Sequence, residues 1–450
     1  MVSVVVVGGG LSGLEFAVAL QLSERYEIIL LEWGSSLRRH HEQEDSRRYP
    51  GDQRTRTWQS LGPEWRDGSG VKRRLGGRSL CWHGVVLPIE DYALAKWPEV
   101  WRQRLWRDGL YSRTAEHLGV QLPSNAYCLG QESDPVLAAV PQASAVRPVG
   151  QSSSDSKKEI RSVYSPIHAL ETSRVRVVKG ARVNSVSRKN GALFVDFTTN
   201  SGLHRIKTQL CVLAAGAVEN ARIVCDSMGE PIEGRITDHL CVGVVSGRQE
   251  REVETGAGKS IRYLRWSDLR CNVFVQDEFT SRSDGIRRIV DVWALVEQDL
   301  AAGSPFFVSP APDRADFGNV SIGTHVSIED HQRLQIISRR LDAFVEAFLG
   351  VLPGNCFQAG VHYHPEPAAV RRVISGAADH LHYRVPLGGV DHEAGTLPIG
   401  GPVNAELGLK GFDGVYVLGP GVFPASGAAN PSLTSLALSN WLARHLMCDS

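Results

Sequence analysis

The chain opens Val2-Ser3-Val4-Val5-Val6-Val7-Gly8-Gly9-Gly10-Leu11-Ser12-Gly13. A valine run broken only by Ser3 is too short for a helix and has the composition of a strand buried on both faces of a parallel sheet. Gly8, Gly10 and Gly13 follow in the spacing GxGxxG. In that spacing the first glycine allows a tight turn, the second lets the backbone approach a pyrophosphate, and the third lets the next helix pack closely. Leu14, Ala17, Val18 and Leu22 carry the pattern on as an apolar helix with Ser12 at its start. Its unpaired N–H groups and partial positive charge would face the phosphates. A second strand, Glu27 to Leu31, ends on Glu32, where a carboxylate can hold both ribose hydroxyls. Strand, turn, helix and acid together predict a dinucleotide-binding unit.

Composition sets the bounds around it. A chain of 450 residues has the length of two domains, or of one large α/β domain carrying a second layer. With 49 basic and 49 acidic residues the formal charge is zero, so nothing global points to nucleic acid or an anionic membrane. No apolar run has the length of a membrane span, and no signal-peptide pattern is read. The eight cysteines (Cys81, Cys128, Cys211, Cys225, Cys241, Cys271, Cys356, Cys448) show no metal-binding spacing and read as reduced and mostly buried. The expectation is a cytoplasmic protein with no nucleic-acid partner, no membrane partner and no metal.

Farther along, residues 38–78 are polar and rich in arginine, with Glu42, Glu44, Asp45 and Asp52 interspersed, the pattern of a solvated lid more than of an anion site. Trp97, Trp101 and Leu105 mark a helical stretch within 85–120 that stops at Leu118-Gly119. Residues 139–160 are rich in Pro and Ser and read as a loop. Strands are expected at Val175–Val178, Val183–Ser187, Leu193–Phe197 and Leu210–Ala214, with Asn190-Gly191 as a turn in a β-meander. Ile289–Val296, Val320–Val326 and Val415–Leu418 are further strands. Leu334–Leu349 and Ser432–His445 are helices.

Several blocks resemble the glucose–methanol–choline (GMC) oxidoreductases. Leu213-Ala214-Ala215-Gly216-Ala217-Val218-Glu219-Asn220-Ala221-Arg222 is similar to that family's internal signature, and Asp238-His239 to the DH that follows it. His392-Glu393-Ala394-Gly395-Thr396 fits HxxGT, the segment of the family's catalytic histidine. Val415 to Gly419 and Asn430-Pro431-Ser432-Leu433-Thr434 match its last FAD-contacting strand and terminal helix. Gly76–Gly84 (GGRSLCWHG) and Gly427–Ala437 (GAANPSLTSLA) most resemble the pyranose 2-oxidase branch. The matching blocks lie in order along nearly the whole chain, whereas 241–384 shows no such likeness.

The resemblance implies a doubly wound, Rossmann-like α/β FAD-binding domain built from 1–90, 160–240 and 385–450. A β-sheet-based α+β substrate domain with lid elements would take 91–159 and 241–384. The implied FAD contacts are Gly8, Gly10, Ser12, Gly13, Glu32, Gly76, Gly77, Ser79, Val183, Ala215, Gly216, Gly419, Asn430, Pro431 and Ser432. In the pyranose 2-oxidase branch a histidine in the Gly76–Gly84 block bonds covalently to the flavin. Cys81 stands at that position here, so FAD is expected to be non-covalent and the thiol to be free.

Oxidation of an alcohol needs a proton taken from oxygen and a hydride from carbon, and a flavin accepts the hydride. The protein must supply a base and a group that orients the hydroxyl. His392 suits the first role because imidazole titrates near neutral pH. Asn430 suits the second, since it does not titrate and can donate to the substrate oxygen; it also serves a helix start as an N-cap. His83 is read equally as an active-site residue and as ordinary packing. His362 and His364 are a metal pair without a third ligand, or pocket lining. The expected partners are a polar, sugar-like alcohol, an aminoglycoside or another glycosylated metabolite among them, and O2 or another electron acceptor. Rival readings are a non-redox lyase on the same fold, a sterol or aliphatic alcohol oxidase, an NAD(P)-dependent dehydrogenase and a non-catalytic flavoprotein.

Overall fold

Val4 to Val7 are at most 3% exposed, as expected of a strand with neighbours on both sides and layers on both faces. The computed structural model describes residues 1–35, 57–61, 70–122, 138–139, 142–147, 160–250, 260–282, 285–311, 319–349 and 366–448. The strand Val2–Val7 is central in a five-stranded parallel sheet, ordered Val415–Val417, Leu210–Leu213, Val2–Val7, Tyr26–Glu32, Arg176–Lys179. Val7 pairs with Leu31 on one side and Leu213 on the other. The strand ends therefore align, and the turns that follow them open at one edge. The helix Leu11–Leu20 packs on the sheet and against the C-terminal helix Ser432–Cys448.

The stretch expected to be a meander divides between two sheets. Arg176–Lys179 is an edge strand of the parallel sheet. The antiparallel sheet consists of Arg182–Lys189, Ala192–Thr199 and Gly202–Thr208. Its turn is Asn190-Gly191, both residues left-handed at φ 50° and 79°, a hairpin geometry that these two residue types tolerate best. Gly202–Thr208 was not expected as a strand because, as an outer strand with largely exposed side chains, it carries no run of apolar residues. The tryptophan-rich stretch also departs from expectation. It forms the short helices Asp91–Leu94, Glu99–Arg102 and Leu110–His117, with a π-turn at Gln103–Arg107. Pro98 and Gly109 (φ 70°) interrupt it. Its tryptophans face the C-terminal segment, Trp97 tilted against Phe423 and Trp101 edge-on to Trp441. In the stretch read as a loop, Ser144–Arg147 pairs with Ile160–Val163.

A second body of structure is a six-stranded sheet ordered His380–Val385, Leu240–Glu250, Gly285–Val296, Cys271–Arg282, Ser260–Trp266, Ala138–Ala139. On one face Cys241, Tyr263, Phe274 and Leu295 pack with Val85, Leu87 and Ala429 of the parallel-sheet half. The helix Ile328–Leu349 packs on this sheet and buries Leu334, Ile337, Leu341 and Val345. No described helix is long and apolar enough to cross a membrane.

The turn glycines separate by role. A Cβ at Gly13 would lie 2.0 Å from the Gly8 carbonyl oxygen, backbone that cannot move aside. A Cβ at Gly10 would meet nothing within 4 Å. Gly13→Ala is therefore expected to cost about 1–3 kcal/mol of stability, as overpacking does, and Gly10→Ala less than about 0.5 kcal/mol. Urea unfolding of the two variants measures the difference.

Candidate active site

The helix Leu11–Leu20 starts behind Gly10 and the helix Ala217–Met228 behind Gly216, neither with a side-chain cap. The C-terminal helix starts behind Asn430-Pro431. These three starts border one cavity of about 490 Å3, an ordinary size for a ligand cleft. Of the residues expected at a cofactor, Gly8, Gly10, Ser12, Glu32, Gly77, Ser79, Val183, Ala215, Gly216, Gly419, Asn430, Pro431 and Ser432 line it. Gly13 and Gly76 do not. Gly13 gives helix and turn their close approach, while Gly76, at φ 91°, donates its N–H to the Gly9 carbonyl at 2.8 Å.

The cavity has the features a dinucleotide needs. A Cβ at Gly10 or at Gly216 would enter open space, so backbone amides can be approached closely. No acidic side chain stands in the first turn of the N-terminal or C-terminal helix to compete with a phosphate. Glu32 is held in place, accepting from Gly9 N–H at 2.8 Å and Gly34 N–H at 2.6 Å. Burial pushes its carboxyl up to about 7, against the pull of those two N–H groups. Arg73 and Arg182 stack on Trp33 at the same end. Within the arginine-rich stretch, Arg74 is 1% exposed and Arg78 is ion-paired, so neither is a solvated lid residue. Residues 36–56 and 62–69 of that stretch lie outside the described residues, as do His362 and His364.

His392 and Asn430 meet in this cavity, with Asn430 Nδ2 3.4 Å from His392 Nε2. The other face of His392 meets a residue not expected there, His239, whose Nδ1 is 2.7 Å from His392 Nδ1. His239 Nε2 is 2.9 Å from the Gly427 carbonyl. A carbonyl only accepts, so His239 carries its proton on Nε2. Burial lowers His239 to about 4, so its ring is neutral and Nδ1 is an acceptor. His392 must then donate from Nδ1, which leaves a lone pair on Nε2 directed at the Asn430 side of the cavity. Burial first, then His239, Arg78 and His83, hold His392 well below the ordinary imidazole range. The ring is thus a neutral base with its proton on the far side. Asn430 Oδ1 is buried with no hydrogen-bond partner among the described residues, a site for a donor on a bound molecule.

Other contacts position this pair. Asp238 Oδ1 accepts from the backbone N–H of His239 at 2.8 Å and of His392 at 3.0 Å, while Oδ2 accepts from Val390 N–H at 3.2 Å. Arg78 binds both oxygens of Glu393, one at 2.9 Å, and donates to the Asp391 carbonyl at 2.8 Å, gripping the chain on both sides of His392. Glu90, 2% exposed, accepts from Ala428 N–H at 3.0 Å and from Asn272 at 2.8 Å, tying the loop before Asn430 to the six-stranded sheet. Asn220 accepts from Ala215 N–H at 2.8 Å and donates to Leu418 O at 3.0 Å, joining the ends of two parallel strands.

His83, Trp82 and Cys81 also line the cavity. His83 is exposed at its rim, with its carbonyl accepting from Gln142 at 2.8 Å. Cys81 is a free thiol directed at the Arg78 carbonyl, 3.3 Å away. Only a weak signal in the sequence points to His239: Asp238-His239 resembles the DH of the family, with no role attached to it.

The proton positions are open to direct measurement. In protein labelled with 15N-histidine, His239 is expected to stay neutral down to about pH 4 with its proton on Nε2. His392 is expected to be neutral at pH 6 with its proton on Nδ1. Titration of either ring near its ordinary value of about 6.5 would overturn this arrangement.

Residues 309–439, which hold His392 and Asn430, match the family model described as GMC oxidoreductase. The crystal structure of pyridoxine 4-oxidase from Mesorbium loti is similar in fold, with a TM-score of 0.64 at 16% sequence identity over 99% of each chain. No curated protein matches the chain in sequence. The fold is a Rossmann-like FAD-binding domain with a separate substrate-binding domain, typical of that group. Residues 309–439 thus carry the match to the GMC oxidoreductase family model, and over the whole chain the likeness is one of fold.

Proposed function

We propose that the chain holds FAD without a covalent link and oxidises a hydroxyl group to a carbonyl on a polar, sugar-like molecule. One observation carries this reading: the Gly427–His239–His392 chain leaves His392 Nε2 unprotonated, 3.4 Å from the Asn430 amide, inside the cavity that the glycine turn borders. The Gly8–Gly10 turn, Ser12, Glu32, Gly216, Gly419 and the start of the C-terminal helix would hold FAD. When bound, FAD supplies the acceptor for the hydride.

The chain's own residues handle the proton. A substrate hydroxyl donates to His392 Nε2, and Asn430 Nδ2 donates to the substrate oxygen. As the C–H bond is oxidised, the hydroxyl proton moves to Nε2. The resulting imidazolium keeps its Nδ1–H bond to His239, which does not change protonation. Asn430 Oδ1 remains free to accept from a second hydroxyl, which suits a polyol better than a simple alcohol. The sugar-like substrate, an aminoglycoside among the possibilities, rests on the resemblance of Gly76–Gly84 and Gly427–Ala437 to the pyranose 2-oxidase branch. O2 or another acceptor would reoxidise the flavin.

Mixing the yellow protein anaerobically with polyols, sugars and aminoglycosides tests this. Bleaching of the flavin by at least one of them, reversed by air or an added acceptor, is the expected result. Failure of every alcohol to bleach it rejects the oxidation and leaves lyase chemistry or simple binding; a colourless protein would reject FAD.

Variants then separate the roles. His392→Ala is expected to bind ligand normally and to slow flavin reduction by about 10²- to 10⁴-fold. His239→Ala removes the acceptor for Nδ1–H and is expected to slow it by about 10- to 100-fold, because the tautomer is no longer held. His239→Gln retains a side-chain oxygen that can accept, so the loss should be smaller. Stopped-flow reduction rates from pH 5 to 9 measure all three.

A further inference from the structure

A second group of ionisable side chains lies outside the cavity. Strand His380–Val385 alternates, so His380 and His382 share one face while Tyr383 and Val385 share the other. Val385 and Tyr383 pack into clusters with Trp293, and the cluster of Val385 includes Val85 and Ala429, beside the catalytic cavity. His380 and His382 therefore face away from it, toward Asp342 of the helix Ile328–Leu349. His382 Nε2 is 2.6 Å and His380 Nε2 3.6 Å from Asp342 Oδ1. The three side chains are 6–8% exposed. One ligand atom from each lies within 4.8 Å of the other two.

The bonding among these groups is incomplete. Among the described residues, both ring nitrogens of His380 and Asp342 Oδ2 are buried without a hydrogen-bond partner. Buried polar groups are ordinarily satisfied, and leaving one bare costs stability. A proton on His380 would not repair this, because Nε2 lies 3.6 Å from Asp342 Oδ1, beyond a hydrogen bond. A cation bonded to three ligand atoms at about 2.0–2.2 Å sets those atoms roughly 3.3 Å apart in tetrahedral geometry. The 2.6 Å and 3.6 Å separations bracket that value. Two imidazoles and one carboxylate are a donor set suited to zinc and its first-row neighbours, with water completing the shell.

We propose that Asp342, His380 and His382 form a binding site for one divalent transition-metal ion, of which zinc is the representative, that pins the helix Ile328–Leu349 to the strand His380–Val385. The role is structural, as the group faces away from the reacting atoms.

Tag-free, full-length, FAD-loaded protein is treated with a chelator and dialysed against zinc chloride, and its metal content and thermal midpoint are measured. One zinc per chain and a midpoint raised by several degrees are expected. His380→Gln and Asp342→Asn should each lose the zinc and the rise while retaining FAD and alcohol-driven flavin reduction. If the wild type retains no zinc and its midpoint does not respond, the site is rejected. Equal zinc in the wild type and both variants places the metal elsewhere and equally rejects it. Should a variant fail to fold, 15N-histidine spectra of the wild type decide: zinc must shift His380 and His382, and a shift confined to other histidines refutes the assignment.

Discussion

The Gly427 carbonyl decides where two protons sit. By accepting from His239 Nε2 it makes Nδ1 of that ring an acceptor, and so it obliges His392 to turn its own proton inward. Everything around this chain of atoms keeps three distant stretches of backbone in register. Asp238 binds the N–H groups of His239, His392 and Val390 with one carboxylate. Arg78, carried by the glycine-rich loop, holds Glu393 and the Asp391 carbonyl. Glu90 holds the Ala428 N–H, one residue past the carbonyl in question. A shift of even 1 Å in any of these would break a hydrogen bond whose useful range is only a few tenths of an ångström.

Three other stretches reach the cavity because the parallel sheet aligns its strand ends. Val7, Leu31 and Leu213 are paired side by side, so the glycine turn, the Glu32 end and the Ala214-Ala215-Gly216 turn open on one edge. Leu418 continues the outer strand to the same edge and is joined to it through Asn220. Ligands gather at such edges in open α/β sheets because loops there diverge and helix starts point inward. The glycine turn and the imidazole pair are consequently neighbours for a topological reason, not through local sequence.

This explains which parts could be read from residues alone. The glycine turn, the buried valine strand and Glu32 are local patterns, written within one strand–helix–strand unit, and they stand where expected. His392 and Asn430 were legible because each sits in a short block with a familiar resemblance. His239, Arg78 and Glu90 were not, since their partners lie 153, 315 and 338 residues away and no period or spacing links them. The Gly202–Thr208 strand escaped for another reason: an outer strand with exposed side chains needs no apolar alternation. The split of the tryptophan stretch at Pro98 was written in the sequence, but the helical period of the tryptophans outweighed it.

The choice of an imidazole, and not a carboxylate, behind His392 has a chemical consequence. A carboxylate hydrogen-bonded to Nδ1 would also fix the tautomer, but its negative charge would favour the imidazolium and raise the ring's pKa. A neutral His239 fixes the same tautomer without that charge, and burial then holds His392 in its basic form at neutral pH. The carboxylates are near but differently engaged: Asp238 is bonded to backbone N–H groups, and Glu393 to Arg78. Burial, with Glu393 and Asp391 close by, pushes Asp238 up to about 7, against the pull of its N–H partners. The site thus separates two tasks that one group often performs, placing the base through a neutral ring and placing its backbone through acids.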